Sequence, residues 1–84
     1  MGEQQRIDKW LWCARFFKTR TIAADSIKNG RVFINGQRAK PSRTVGVNDV
    51  IKIEKPPFTQ TVTVLGVANQ RLAAAKASAL YDES

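Results

Sequence analysis

Eighty-four residues, 43% hydrophobic and 25% charged, make one small globular domain, residues 1–84, and exclude a multidomain or wholly disordered chain. No apolar run approaches the ~18 residues of a membrane helix, the polar start Met1-Gly2-Glu3-Gln4-Gln5-Arg6 lacks a signal-peptide core, and a single cysteine, Cys13, excludes an intrachain disulfide. These absences place the chain in a reducing cytoplasm, while fourteen Lys and Arg against seven acids, a net of +7, call for a polyanionic partner.

The charge is unevenly spread. From Arg6 to Arg43 ten cations face two acids, Asp8 and Asp25, a net of +8, so the remaining residues sum to −1. Ile7, Trp10, Leu11, Ala14 and Phe17 fall on one helical face and predict a first helix over residues 7–17. Asp8 near its start suits the helix dipole. Trp12 and Phe16 are i, i+4 neighbours off that face. They are core residues of a helix buried on two sides or, if exposed, platforms for an unpaired base. Lys18-Thr19-Arg20 breaks the pattern. Thr19 is the predicted N-cap of a second helix, with Thr21 the weaker alternative. Ala23, Ile27 and Gly30 mark that helix's face, and Asn29-Gly30 its stop.

Arg31-Val32-Phe33-Ile34 reads as a strand, Asn35-Gly36 as a type I′ turn and Gln37-Arg38-Ala39 as the return strand. Lys40-Pro41-Ser42-Arg43 is a basic turn. Val45, Val47, Val50, Ile51 and Ile53 supply further strand, with Asn48-Asp49 as a turn between them. Glu54-Lys55-Pro56-Pro57 interrupts the strands. Residues 59–65 then alternate polar and apolar side chains as a half-buried strand does. Residues 69–79, rich in alanine, predict a C-terminal helix, after which Tyr81-Asp82-Glu83-Ser84 frays.

Little in the chain points to catalysis. Without histidine there is no Ser–His or Cys–His pair, and Cys13 with scattered carboxylates is a poor zinc set. Asp8, Asp25 and Asp49 show no acid–base spacing, and no glycine-rich phosphate loop is present. The expectation is no enzyme, no metal and no cofactor. Cys13 reads as a small packed apolar residue. A solvated face is the ordinary reading of surface Lys and Arg. Here the opposing acids are missing, so nucleic-acid binding is the better reading. Thr19 then has two roles, as a cap and as part of a helix N-terminus whose N–H groups can hold a phosphate.

Arg6-Ile7-Asp8-Lys9, Lys18-Thr19-Arg20, Ile27-Lys28-Asn29-Gly30-Arg31-Val32, Asn35-Gly36, Pro41-Ser42 and Asn48-Asp49-Val50-Ile51 together resemble the S-four domain, the αL RNA-binding module, over residues 6–53. "RIDKWLWCARFFKTR" and the tail "VTVLGVANQRLAAAKASALYDES" resemble the bacterial fifteen-kilodalton heat-shock proteins, which are ribosome-associated and recognise stalled large subunits carrying a nascent chain on transfer RNA. The resemblance implies an α+β fold, with two packed helices of the αL motif on a small, mostly antiparallel sheet. A strand and a C-terminal helix follow over residues 59–81. It implies an RNA surface that uses Lys18, Thr19, Arg20, Arg31 and Lys40, with Arg6, Lys9 and Arg15 nearby, and a monomer is the separate expectation. Structured ribosomal RNA or transfer RNA and the large ribosomal subunit are the expected partners. The chain departs from that family at Ser84, where the heat-shock proteins continue into a long basic extension. Competing readings are an accessory RNA-binding module of an RNA-modifying enzyme, and a basic module for proteins or a membrane surface.

Overall fold

The computed structural model describes residues 4–83, so Met1-Gly2-Glu3 and Ser84, which belong to the expected polar start and fraying tail, lie outside the described residues. In chain order the elements are β1 (Gln4–Arg6), α1 (Ile7–Cys13), α2 (Arg20–Lys28), β2 (Val32–Ile34), β3 (Gln37–Arg38), β4 (Thr44–Gly46), β5 (Val50–Lys55), β6 (Phe58–Val64), α3 (Ala74–Ala77), a 3-10 turn (Ser78–Leu80) and β7 (Tyr81–Glu83). Five strands form an antiparallel sheet in the order β3-β2-β5-β6-β7, and β1 pairs with β4 beside it.

The helices pack on one face of the large sheet. Val32, Ile34, Ile51, Ile53, Val62 and Val64 are buried on that face, against Ile7, Trp10, Leu11, Ala23 and Ile27 from α1 and α2. Alternate positions such as Lys52, Thr59 and Val50 face solvent. A sheet wet on one side is the arrangement that period-two patterning predicts.

α1 ends at Cys13, four residues before the predicted Phe17. Arg15 adopts φ +65°, the left-handed region. Its N–H donates to the Trp12 carbonyl and that of Phe16 to Leu11, which closes the helix as a Schellman motif does. Glycine normally occupies that position, so an arginine there carries no stop signal. α2 closes the same way, with glycine in place. Gly30 has φ +76°, its N–H donates to Ile27, and that of Arg31 donates to Ser26. At its other end Thr19 is the N-cap, its Oγ1 accepting from the Ile22 N–H at 3.1 Å. Asn35 and Gly36 have φ of +51° and +86°, as the type I′ turn requires, and join β2 to β3.

The C-terminal third departs most from expectation. Pro56-Pro57 does not merely interrupt the strands: it is the two-residue turn of the β5–β6 hairpin. The helix expected over residues 69–79 shrinks to α3 and the 3-10 turn. Upstream of it the backbone is taken by contacts with β1 and α1. Trp10 Nε1 donates to the Gly66 carbonyl at 2.8 Å, Gln5 Nε2 donates to Ala68, and the Leu72 N–H donates to Cys13 at 3.3 Å. These tertiary bonds override alanine's modest helix propensity. Tyr81–Glu83 does not fray: as β7 it pairs with β6, and its Tyr81 ring lies 4.6 Å from Phe16.

Phe16 is buried in the core and Trp12 is half-buried against it, so the core reading holds for Phe16 and largely for Trp12. Cys13 is fully buried, its thiol donating to the Ala68 carbonyl at 3.5 Å. Burial pushes this thiol above its ordinary value, against a smaller opposing pull from Lys9 and Arg20. A raised folded pKa contributes stability below the ordinary thiol value of about 8.5 that is lost as pH rises through the folded value. Iodoacetamide at neutral pH is accordingly expected to leave Cys13 unmodified in the folded chain and to alkylate it in urea, as read by mass spectrometry.

Candidate nucleic-acid interface

The sequence-predicted cations other than Arg31 fall into three places. The first is the start of α2. Lys18, Thr19 and Arg20 are exposed there. The Thr19 hydroxyl is occupied as the cap, leaving the Arg20 and Thr21 N–H groups of the first turn pointing outward. The Arg20 guanidinium turns back to the Asp8 carboxylate at 3.4 Å, and Arg6 reaches the other oxygen of Asp8 at 3.1 Å. Asp8 is 4% exposed and also accepts the Lys9 N–H at 2.7 Å. One buried acid thus holds two arginines that are about half exposed, and the cluster stays positive. Lys9 lies beside it, half-buried on α1.

Asp8→Asn keeps the shape but removes the charge that both arginines share. A loss of about 1–3 kcal/mol is expected from the weakened charge-assisted bonds. Urea denaturation reads it directly.

The second place adjoins the first through the backbone. Arg6 pairs with Thr44 in the β1–β4 ladder, and the Arg43 carbonyl accepts the Ile7 N–H at 2.7 Å. From Arg43 the basic turn leads to Lys40 and Arg38. These three line a surface depression of about 250 Å³ with Ser42 and Gln37, floored by Ile34 and Ala39. Lys28 joins Arg38 and Lys40 around an adjoining shallow groove. Arg38 is anchored: its Nη2 donates to the Lys28 carbonyl at 2.9 Å, at the end of α2, where a cation suits the dipole. Gly30 is needed here for its positive φ, and a Cβ at this position would lie 3.0 Å from the Arg38 guanidinium, which would have to shift.

The third place is the linker between α1 and α2. Arg15 turns to the C-terminal segment, donating to the Leu72 carbonyl at 3.3 Å. Arg71 donates to the Phe17 carbonyl at 3.4 Å. Lys55 donates to the Phe16 carbonyl and stands 4.6 Å above the Phe17 ring. Burial pushes the Lys55 ammonium below its ordinary value.

The structure therefore joins Arg6, Lys9, Lys18, Thr19 and Arg20 at one end, and links them through Arg43 to Lys40. Arg31 follows Gly30 at the far end of α2, separated from Thr19 by the length of a nine-residue helix, about 13 Å. Lys28, Arg38 and Arg43 belong to the basic run but were not among the residues expected to contact RNA. Lys55 and Arg71 come from outside it, and their long-range contacts with the linker leave no local signal. Among the described residues three ion pairs form, and only Asp8 of the acids engages the basic strip; the third pair, Lys52–Glu54, lies on the open sheet face. No group of three metal-ligating side chains and no helix long and apolar enough to cross a membrane occur among the described residues.

Two short helices, a hairpin after the second and a basic strip across both define an αL-type module. The S4 domain model matches residues 5–51, and the chain belongs to the S4 domain family. Within it, the chain is 46% identical over 81 residues to the heat shock protein 15 homolog of Aeromonas salmonicida, covering 96% of this chain and 61% of that one. The chain thus spans about three fifths of the length of the heat shock protein 15 sequences it matches. It is 34% identical over 76 residues to the RQC P-site tRNA stabilizing factor of Helicobacter pylori, covering 90% of each. Its fold is similar to the trimeric structure of Vibrio cholerae heat shock protein 15, with a TM-score of 0.92 at 41% identity over 98% of this chain and 83% of that one.

Proposed function

We propose that this chain is a non-catalytic RNA-binding protein that recognises structured ribosomal RNA or transfer RNA on the large ribosomal subunit, in stalled-ribosome recycling. One observation carries the reading. Among the described residues Asp8 is the only acid that forms an ion pair with the strip from Lys18 and Arg20 through Arg6 and Arg43 to Lys40 and Arg38, and it is buried beneath the arginines it holds. A solvated face with no partner would place acids among these cations. The resemblance to heat shock protein 15 and to a P-site tRNA stabilizing factor supports the ribosomal setting.

The mechanism is positional. Lys18, Arg20 and Lys40 neutralise phosphates, and the first N–H groups of α2 fix register on one of them. Arg6, Lys9, Arg15 and Arg31 extend the field around that centre. Lys and Arg contacts of this kind read the spacing of phosphates across an RNA groove better than a base sequence. In this reading residues 1–84 act as one monomeric unit in the cytoplasm, and sedimentation velocity distinguishes this from a trimer like that of the Vibrio cholerae relative.

Crosslinking in cells followed by sequencing of the bound RNA tests the assignment. Enrichment of large-subunit ribosomal RNA or transfer RNA is the expected result. Partners that survive ribonuclease, with no enriched RNA, would overturn it in favour of a protein-docking module.

A further inference from the structure

Phe58 is the most exposed large apolar side chain among the described residues, at 73%, and the only aromatic in that exposed set. It opens β6 and lies directly opposite Lys55 across the Pro56-Pro57 turn. Cross-strand partners project from the same face of a sheet. Phe58 therefore shares a face with Lys55, Ile53 and Ile51, the side on which the helices pack, yet the helices leave it uncovered.

Its cross-strand partner ties this hairpin to the linker into α2. Lys55, its direct partner, donates to the Phe16 carbonyl and stands over the Phe17 ring, and the next residue is the exposed Lys18. Arg71 is fastened to the Phe17 carbonyl on the same linker. Of the nearby acids, Glu54 projects from the opposite face of β5 and pairs with Lys52 at 3.7 Å, and Glu83 accepts from Gln60 Nε2 at 2.9 Å. An open aromatic ring is thus held beside a two-residue hairpin turn, opposite a lysine whose anchor, the Phe16 carbonyl, lies two residues before Lys18.

We propose that Phe58 is a stacking platform for one unpaired nucleobase of the bound RNA, with Lys55 and Lys18 placed for the phosphates on either side of it. This rests on the RNA-binding reading above and extends it from phosphate positioning on a folded RNA to capture of a single-stranded nucleotide. Stacking suits the site because every base has a π-face, so an aromatic ring between cations binds single strands with little sequence preference.

The test compares a blunt RNA duplex with the same duplex carrying a short single-stranded tail, by fluorescence anisotropy, on the full chain. Phe58→Ala is expected to weaken binding to the tailed duplex by about 5- to 150-fold, the range of one base-on-aromatic stack, and to leave the blunt duplex unchanged. Phe58→Tyr, which keeps the ring, retains wild-type affinity. The side chain is largely solvent-exposed, so an unchanged melting temperature verifies that the variants fold. Lys18→Ala weakens both probes and serves as the control for the underlying surface. Wild-type affinity of Phe58→Ala for both probes, or an equal loss on both, overturns the platform while the RNA-binding reading stands. Failure of the wild-type chain to bind either probe overturns both.

Discussion

Alanine at Lys18, Arg20 and Lys40 together is expected to weaken binding to structured RNA roughly 100-fold near physiological salt, taking about 1 kcal/mol for each charge-assisted phosphate contact. The three side chains are exposed, and one buried carboxylate is the only acid among the described residues that touches any of them. Their removal should therefore cost binding much more than folding. Each phosphate contact contributes a slope of about −0.7 to −0.9 to log K against log salt, so the triple variant should flatten that plot by about 2 to 3. The loss should be similar across different folded RNAs, because phosphate contacts carry position and not sequence. Lys52→Ala, on the open sheet face, should change affinity little. Wild-type affinity and slope in the triple variant would sink the assignment of this surface.

The second large effect is on stability. Trp10→Ala should destabilise the chain by about 3–5 kcal/mol, the usual cost of emptying a fully buried tryptophan site. Trp10 is completely buried, tilts against Phe16 at 5.8 Å between ring centres, and donates to the Gly66 carbonyl. Its loss opens a cavity between α1 and the sheet and leaves the half-buried Gly66 carbonyl without that donor. A domain of this length has a total stability of about 4–13 kcal/mol, so the variant should sit near its unfolding threshold. Urea titration followed by circular dichroism reads the shift. A midpoint close to wild type would mean that α1 does not depend on residues 65–73 for its seating.

The helices show which elements were legible in the sequence and which were not. α2 was legible because its signals are local: Thr19 at one end and Gly30 at the other are the residue types that satisfy orphan helix groups. The Asn35-Gly36 turn and the buried alternation of Val62 and Val64 were legible for the same reason. α1 was overextended because Arg15, not glycine, takes the left-handed position that ends it. The C-terminal helix was overextended because the carbonyls of Gly66 and Ala68 accept from α1 and β1 side chains far away in the chain. β1 and β7 are three-residue strands whose pairing partners define them.

The site follows the same division. The basic run from Arg6 to Arg43 announced itself through its lack of acids. Its internal order did not, since that order depends on Asp8 bridging Arg6 and Arg20 and on Arg38 reaching the end of α2. Asp8 read as a helix-dipole residue; in the fold it also fixes two of the candidate phosphate partners. Lys55 and Arg71 could not be assigned from pattern at all, because the linker they contact lies more than thirty residues away in sequence.

The central claim is that one surface, running from the start of α2 across Arg43 to the Lys40 turn, holds RNA. Backbone amide shifts during titration of a structured RNA into the isotope-labelled chain test it most directly. The account predicts that residues 18–21 and 38–43 move first and together, that salt reverses the shifts, and that Phe33, Lys52 and Thr61 on the open sheet face stay in place. Shifts concentrated on that open face, with residues 18–21 unmoved, would contradict it.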